Sequence, residues 1–104
     1  MSIYIIYKVY QNINKTCTPG GVKLVGAYTD QFVAYKYACG KQIEEFLTFG
    51  ERDVVEDLPE YPNAYATLDD YIHYFKTITS KNVVQDVINP NGLYIYKVEE
   101  LKIN

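Results

Sequence analysis

The stretch Ile3-Tyr4-Ile5-Ile6-Tyr7-Lys8-Val9-Tyr10 decides how this chain folds. β-Branched and aromatic residues crowd it, and both suit a pleated, half-buried surface. Side chains alternate along a strand, so Ile3, Ile5, Tyr7 and Val9 share one face, and Tyr4, Ile6, Lys8 and Tyr10 share the other. Both sets are largely apolar. That pattern fits a central strand covered on both sides, or on one side with a tyrosine-rich exposed face on the other.

Working outward, residues 11–21 read as a loop, with Pro19-Gly20-Gly21 as turn chemistry. Val22 to Tyr28 is a second strand, and the long loop before it fits a wide antiparallel hairpin with an exposed tip. At the far end, Asn89-Pro90-Asn91-Gly92 is a turn, and Leu93 to Ile103 closes the chain as a strand. The two ends are the most β-rich segments. Pairing the last strand with the first spares each an exposed edge.

Between them lie helices. Thr29 and Asp30 can each place a side-chain oxygen on free amides at a helix start. The helix runs from about Asp30 to Phe49, with Phe32, Tyr35, Ala38 or Cys39, Ile43, Phe46 and Leu47 at helical spacing. Gly40 inside it reads as close packing on a strand, and Gly50 as a left-handed C-terminal cap. Residues 51–66 form an irregular connection, since Pro59 and Pro62 forbid a regular helix across it. Thr67 caps a second helix, with Asp69 and Asp70 in its first turn and an apolar stripe of Leu68, Tyr71, Ile72, Phe75 and Ile78. Residues 82–88 fit either a short strand or a further helical turn. The expected fold is a single α+β domain spanning residues 1–104. It has a small, mainly antiparallel sheet of three to four strands with two helices packed on one face.

The strand Tyr4-Ile5-Ile6-Tyr7, the segment Lys23-Leu24-Val25-Gly26-Ala27-Tyr28-Thr29-Asp30 leading into a helix, and the closing Gly92-Leu93-Tyr94-Ile95-Tyr96 with its acidic-hydrophobic tail resemble small uncharacterised domains of bacteria and their phages. The resemblance covers residues 3–10, 22–47 and 91–101, with 51–88 as an insertion. It implies a strand-strand-helix-strand core and no activity.

Composition excludes several functions. A chain of 104 residues with 48% hydrophobic content holds one core and no separate cofactor domain. Net charge of -3 disfavours tight nonspecific nucleic-acid binding and supports solubility. No apolar run approaches a membrane span, and the N-terminus lacks a basic leader and a cleavage site. The expected setting is therefore cytoplasmic, with free thiols at Cys17 and Cys39. Nine lysines against one arginine, with twelve Tyr, ten Ile and seven Asn, match A/T-rich codons. That bias admits bacteria, phages and large DNA viruses, so a host cell or a virion also fits.

The chemistry-bearing residues are few. His73 is the sole histidine, off the centre of its helix stripe, with no identifiable partner for base catalysis. One histidine and two separated cysteines do not make a zinc site. The adjacent pairs Glu44-Glu45 and Asp69-Asp70 diverge on their helices. Cys39 reads as core, and Cys17 as a loop thiol beside Lys15. Pro19-Gly20-Gly21 lacks the Gly-Lys-Ser/Thr ending of a phosphate loop. Tyrosine is the one compositional anomaly. Tyr4 and Tyr10 share a parity on the first strand, as Tyr94 and Tyr96 do on the last. If that face points away from the helices, it is an interaction surface; otherwise the rings pack.

Glu51, Asp53, Glu56, Asp57 and Glu60 make an acidic run that can either stay solvated or dock a basic surface. The expectation is a non-enzymatic interaction module without cofactor or metal, pairing with itself or another protein through Tyr4, Tyr10, Tyr94, Tyr96, Glu56 and Asp57. Two alternatives stand beside it. One is a small-molecule or nucleotide pocket near His73, with Tyr71 and Asp70. The other is a weak single-strand nucleic-acid binder, whose flanking cations Lys8 and Lys97 are too few to outweigh the net charge.

Overall fold

The computed structural model describes residues 1–11, 21–50, 52–88 and 92–103. The expected loop with Lys15, Cys17, Pro19 and Gly20, together with Glu51 and residues 89–91 of the second turn, lies outside them. The elements run β1 (Ser2–Gln11), β2 (Val22–Tyr28), α1 (Gln31–Phe49), α2 (Arg52–Glu56), α3 (Leu68–Ile78), α4 (Lys81–Val87) and β3 (Leu93–Lys102). The fold is α+β, with a three-stranded antiparallel sheet in the order β2-β1-β3.

β1 is central, as its two apolar faces require. β3 pairs along its whole length, from Ser2 opposite Lys102 to Gln11 opposite Leu93. β2 pairs from Tyr4–Tyr28 to Val9–Val22, with a bulge where the register shifts between Ile6 and Tyr7. Directly opposed residues point to the same side. One face therefore holds Tyr4, Ile6, Lys8, Tyr10, Tyr28, Tyr94, Tyr96 and Val98; the other holds Ile3, Ile5, Tyr7, Val9, Val22, Leu24, Leu93, Ile95 and Leu101.

α1 covers the first face. Ile6, Ala34, Ala38, Cys39 and Phe46 are fully buried, and Tyr37 meets Tyr28 with ring centroids 5.6 Å apart. The helix starts as its cap predicts: the Asp30 carboxylate accepts from the Phe32 amide at 2.9 Å. α3 begins with a reciprocal box, in which the Thr67 amide donates to Asp70 at 2.8 Å and the Asp70 amide donates to the Thr67 hydroxyl at 3.3 Å. These bonds hold the Asp70 carboxyl below the usual carboxylate range.

Three expectations change, and one open alternative closes. Residues 82–88 are helical rather than a fourth strand: Ser80 caps α4, and Val84 and Val87 turn into the core. The connection at 51–66 contains the short helix α2, so the helices number four. Gly40 packs on nothing; a Cβ there would meet open space. Gly50 is extended, at φ -82° and ψ 158°, rather than left-handed. A Cβ on Gly50 would sit 2.5 Å from Val87 Cγ1 and 2.6 Å from the Phe46 carbonyl. Glycine is needed there for space. Gly92, at φ 75°, is the glycine that a turn requires, and a Cβ would meet the Gln11 carbonyl.

A further helix, α4, extends the helical layer past the β3 edge. Leu93 and Ile95 belong to the face opposite α1, yet they are 1% and 5% exposed. α4 lies on that side, where Val84 and Ile88 border a groove with Ile95 and Lys97. The helical layer thus wraps around the β3 edge.

Candidate functional site

The wrapped edge is held by two α1 side chains. Gln42 is fully buried and stands in for a neighbouring strand: its Nε2 donates to the Tyr94 carbonyl at 3.2 Å, and its Oε1 accepts the Tyr96 amide at 2.8 Å. Glu45 accepts the Tyr94 amide at 2.9 Å. These bonds satisfy backbone groups that a free edge would leave open. Glu44, the neighbour of Glu45, points instead to solvent and pairs with Lys41 at 3.4 Å.

The tyrosine face is the face under α1. Tyr96 is buried there, and Tyr4 packs against the core. Burial, with the carboxylate of Glu45 next in effect, pushes the Tyr96 hydroxyl above its ordinary range. Tyr10 and Tyr94 meet edge to face, centroids 5.4 Å apart, at the other end of β1 from Tyr4. The Lys8 ammonium sits 4.5 Å from the Tyr94 ring centre, and the Lys23 ammonium 6.0 Å. Both distances lie within cation–π range of the ring. Glu56 and Asp57 are exposed at the end of α2, which packs on α1 and α4. Glu56 accepts from Arg52 at 3.0 Å, and Asp57 borders a shallow groove with Pro59 and Asp86. The sheet tyrosines and this acidic pair therefore occupy separate places.

His73, Tyr71 and Asp70 do not converge. Tyr71 points inward, 2% exposed, against Phe32 and Tyr61, while His73 faces solvent and Asp70 is tied into the helix cap. Cys39 is buried with its thiol donating to the Tyr71 carbonyl at 3.6 Å. Burial pushes that thiol up to about 12, so it stays protonated and inert at neutral pH. Among the described residues, no group of His, Cys, Asp and Glu is arranged to hold a metal, and no helix is long and apolar enough to cross a membrane.

The surface that stands out is the second face of the sheet. Among the described residues, α4 borders its Ile95 end, and α3 approaches it near Tyr7 and Ile95. Beyond that end, Ile3, Ile5, Tyr7 and Val9 are half-buried and none of them joins the core cluster of the described residues, although Tyr7 borders a groove with Tyr35, Phe75 and Thr79. Around them Val22 is 66% exposed, Leu24 73% and Leu101 50%. An apolar row running over three strands is more than the scattered leucines of an ordinary surface. Its sequence signal was the parity of Ile3, Ile5, Tyr7 and Val9. Alternation could not say which of two apolar faces the helices would take.

At the edge of this face, a groove of about 280 Å³ separates α4 from the sheet. Val84, Ile88 and Ile95 form its apolar part, with Lys81 and Lys97 at its rim. A neighbouring groove of about 330 Å³ shares Thr79, Ile95 and Lys97 with it and reaches Tyr7.

Compared with protein-family models, curated proteins and solved structures, the chain matches none.

Proposed function

We propose that this protein is a non-enzymatic interaction module whose open sheet face docks another protein surface. The observation that carries this reading is the row of Ile3, Ile5, Tyr7, Val9, Val22, Leu24 and Leu101 on one sheet face, outside the core cluster of the described residues, with Val22, Leu24 and Leu101 exposed. Keeping such a row in water forfeits roughly 25 cal/mol for each Å² that a partner would cover. The chemistry-bearing side chains support the same reading. The histidine is exposed, the described cysteine is buried as a neutral thiol, and the acids serve helix caps, ion pairs and the strand edge. The lysine, tyrosine, isoleucine and asparagine bias supports an accessory or structural component encoded by a virus or mobile element, working inside a cell or particle.

Site-specific photo-crosslinking in the native host tests the reading. A photoreactive residue at position 24 should give discrete protein adducts. The same residue at position 65, where the tyrosine is 93% exposed just ahead of the α3 cap, should not. Equal adduct yields at the two positions, or none at position 24, would sink the reading.

A further inference from the structure

We infer that the outer edge of β3 at Val98 and Glu100 accepts an extended segment of a partner protein as a fourth strand, and that this segment carries carboxylates beside its apolar residues. The site is the strand edge and not the sheet face, so it stands independently of the reading above.

The first argument is the backbone. Odd residues of β3 turn toward β1, as Ile103 just past the strand does when its amide donates to the Met1 carbonyl at 2.8 Å. Even residues turn away, since the Tyr94 and Tyr96 amides donate to Glu45 and Gln42 of α1. The unbroken register of β1 and β3 keeps Val98 and Glu100 in the same phase. Gln42 and Glu45 reach no further than Tyr96. Among the described residues, no group bonds the outward amides and carbonyls of Val98 and Glu100. β3 is an edge strand, and these groups stand in strand geometry with no strand beside them.

The second argument is space. The groove of about 330 Å³ is lined by residues 95–99 of β3, by Phe75, Lys76 and Thr79 of α3 and by Tyr35 of α1. Successive residues of a strand point to opposite faces, so a groove that takes in this whole run straddles the edge. One wall is a strand and the other a helix, which is room for a single extended chain. A second copy would bring further strands to where α3 already stands. Tyr35 and Phe75, ring centroids 5.9 Å apart, give an apolar floor for every second side chain of the incoming segment.

The third argument is charge. Lys76 and Lys97 line this groove, and Lys81 joins Lys97 in the groove that continues it along α4. All three are exposed, and none makes an ion pair among the described residues. Glu99 is the sole carboxylate among the described residues lining either groove, and Glu100 on the edge accepts from the Ser2 hydroxyl at 2.9 Å. On a chain of net charge -3 this is a local excess of cations, and it complements Asp or Glu on the incoming segment.

Selection of a random displayed dodecapeptide library against the full chain tests this. The selected peptides should alternate apolar residues with polar ones and include Asp or Glu. A bound peptide should slow hydrogen exchange at the Val98 and Glu100 amides by about tenfold or more, and N-methylation of its alternate amides should abolish binding. Lys76→Glu combined with Lys97→Glu should weaken binding by about tenfold, while Leu24→Lys on the sheet face leaves it unchanged. A library that yields no binder, or binders that leave the Val98 and Glu100 amides as they were, overturns strand addition. Binders indifferent to the two lysine reversals overturn the acidic segment. Protection of those amides that rises with the concentration of the unliganded chain assigns the edge to a second copy and overturns the foreign segment. Crosslinking from position 24 decides the sheet-face reading whichever of these results is found.

Discussion

The two faces of this sheet are built from similar residues and meet opposite fates. On one side Ile6, Tyr96 and Val98 lie under α1. On the other, Ile5, Tyr7 and Leu24 stay outside the core cluster of the described residues. Side-chain chemistry does not distinguish the faces. What does is the helix that follows β2, together with the small residues Ala34 and Ala38, which let that helix come close. Apolar character makes a face worth covering; the connection decides which face is covered.

Truncation on the two sides should separate them most sharply. Ile6→Ala should cost about 3–4 kcal/mol in urea unfolding, since Ile6 is fully buried and its loss leaves a cavity. Leu24→Ser, at a position 73% exposed, should cost no more than about 0.5 kcal/mol. Equal costs would mean that the open face is not open in solution.

The edges of the sheet give the next contrast. Gln42→Ala strips the Tyr94 carbonyl and the Tyr96 amide of their partners, and should cost about 2–3 kcal/mol. Hydrogen exchange at the Tyr96 amide should accelerate more than at amides shared between β1 and β3. No local change there would show that the amide clamp is dispensable.

The covered side should also respond to alkali. Burial raises Cys39 from 9.0 to about 12. The Tyr74 hydroxyl, which donates to the Pro59 carbonyl at 3.1 Å, rises from 10.0 to about 12, again chiefly through burial. Both groups hold their protons more tightly when folded. Their stabilising share is complete below the ordinary values and is lost as pH climbs from about 9 toward 12. Denaturant midpoints should fall over that window, less steeply in Tyr74→Phe. A flat profile would contradict the burial of both groups.

The smallest expected effect is a gain. Gly40 sits in mid-helix beside open space, so Gly40→Ala should stabilise by about 0.5–1 kcal/mol. A loss would reveal a close neighbour that this surface of α1 does not have.

Much of this fold was legible from the chain. β1 is central because both its faces are apolar, and β2 runs from Val22 to Tyr28 as its composition dictates. Asp30 and Thr67 start their helices because their side-chain oxygens reach free amides. Those are local properties, set by neighbours a few residues away. Residues 82–88 were ambiguous because a short apolar run suits strand or helix equally, and packing of Val84 and Val87 on the core settles it.

The candidate site was less legible. Parity grouped Tyr4 with Tyr10 and Tyr94 with Tyr96, and the register joins the two pairs on one face. Parity is silent on where a helix lands, so it could not tell that this face would lie beneath α1. Gln42 was invisible for a similar reason. Its partners lie 52 and 54 residues away, and nothing local marks a glutamine as a stand-in for a strand.

The sequence by itself determined the strands, the principal helix starts and the pairing of the chain's two ends, because alternation and capping act over a few residues. Tertiary structure alone decided which apolar face was buried, which edge was sealed and which glycine had no room. Those outcomes depend on where a helix comes to rest against a sheet, and that position is fixed by packing over the whole chain.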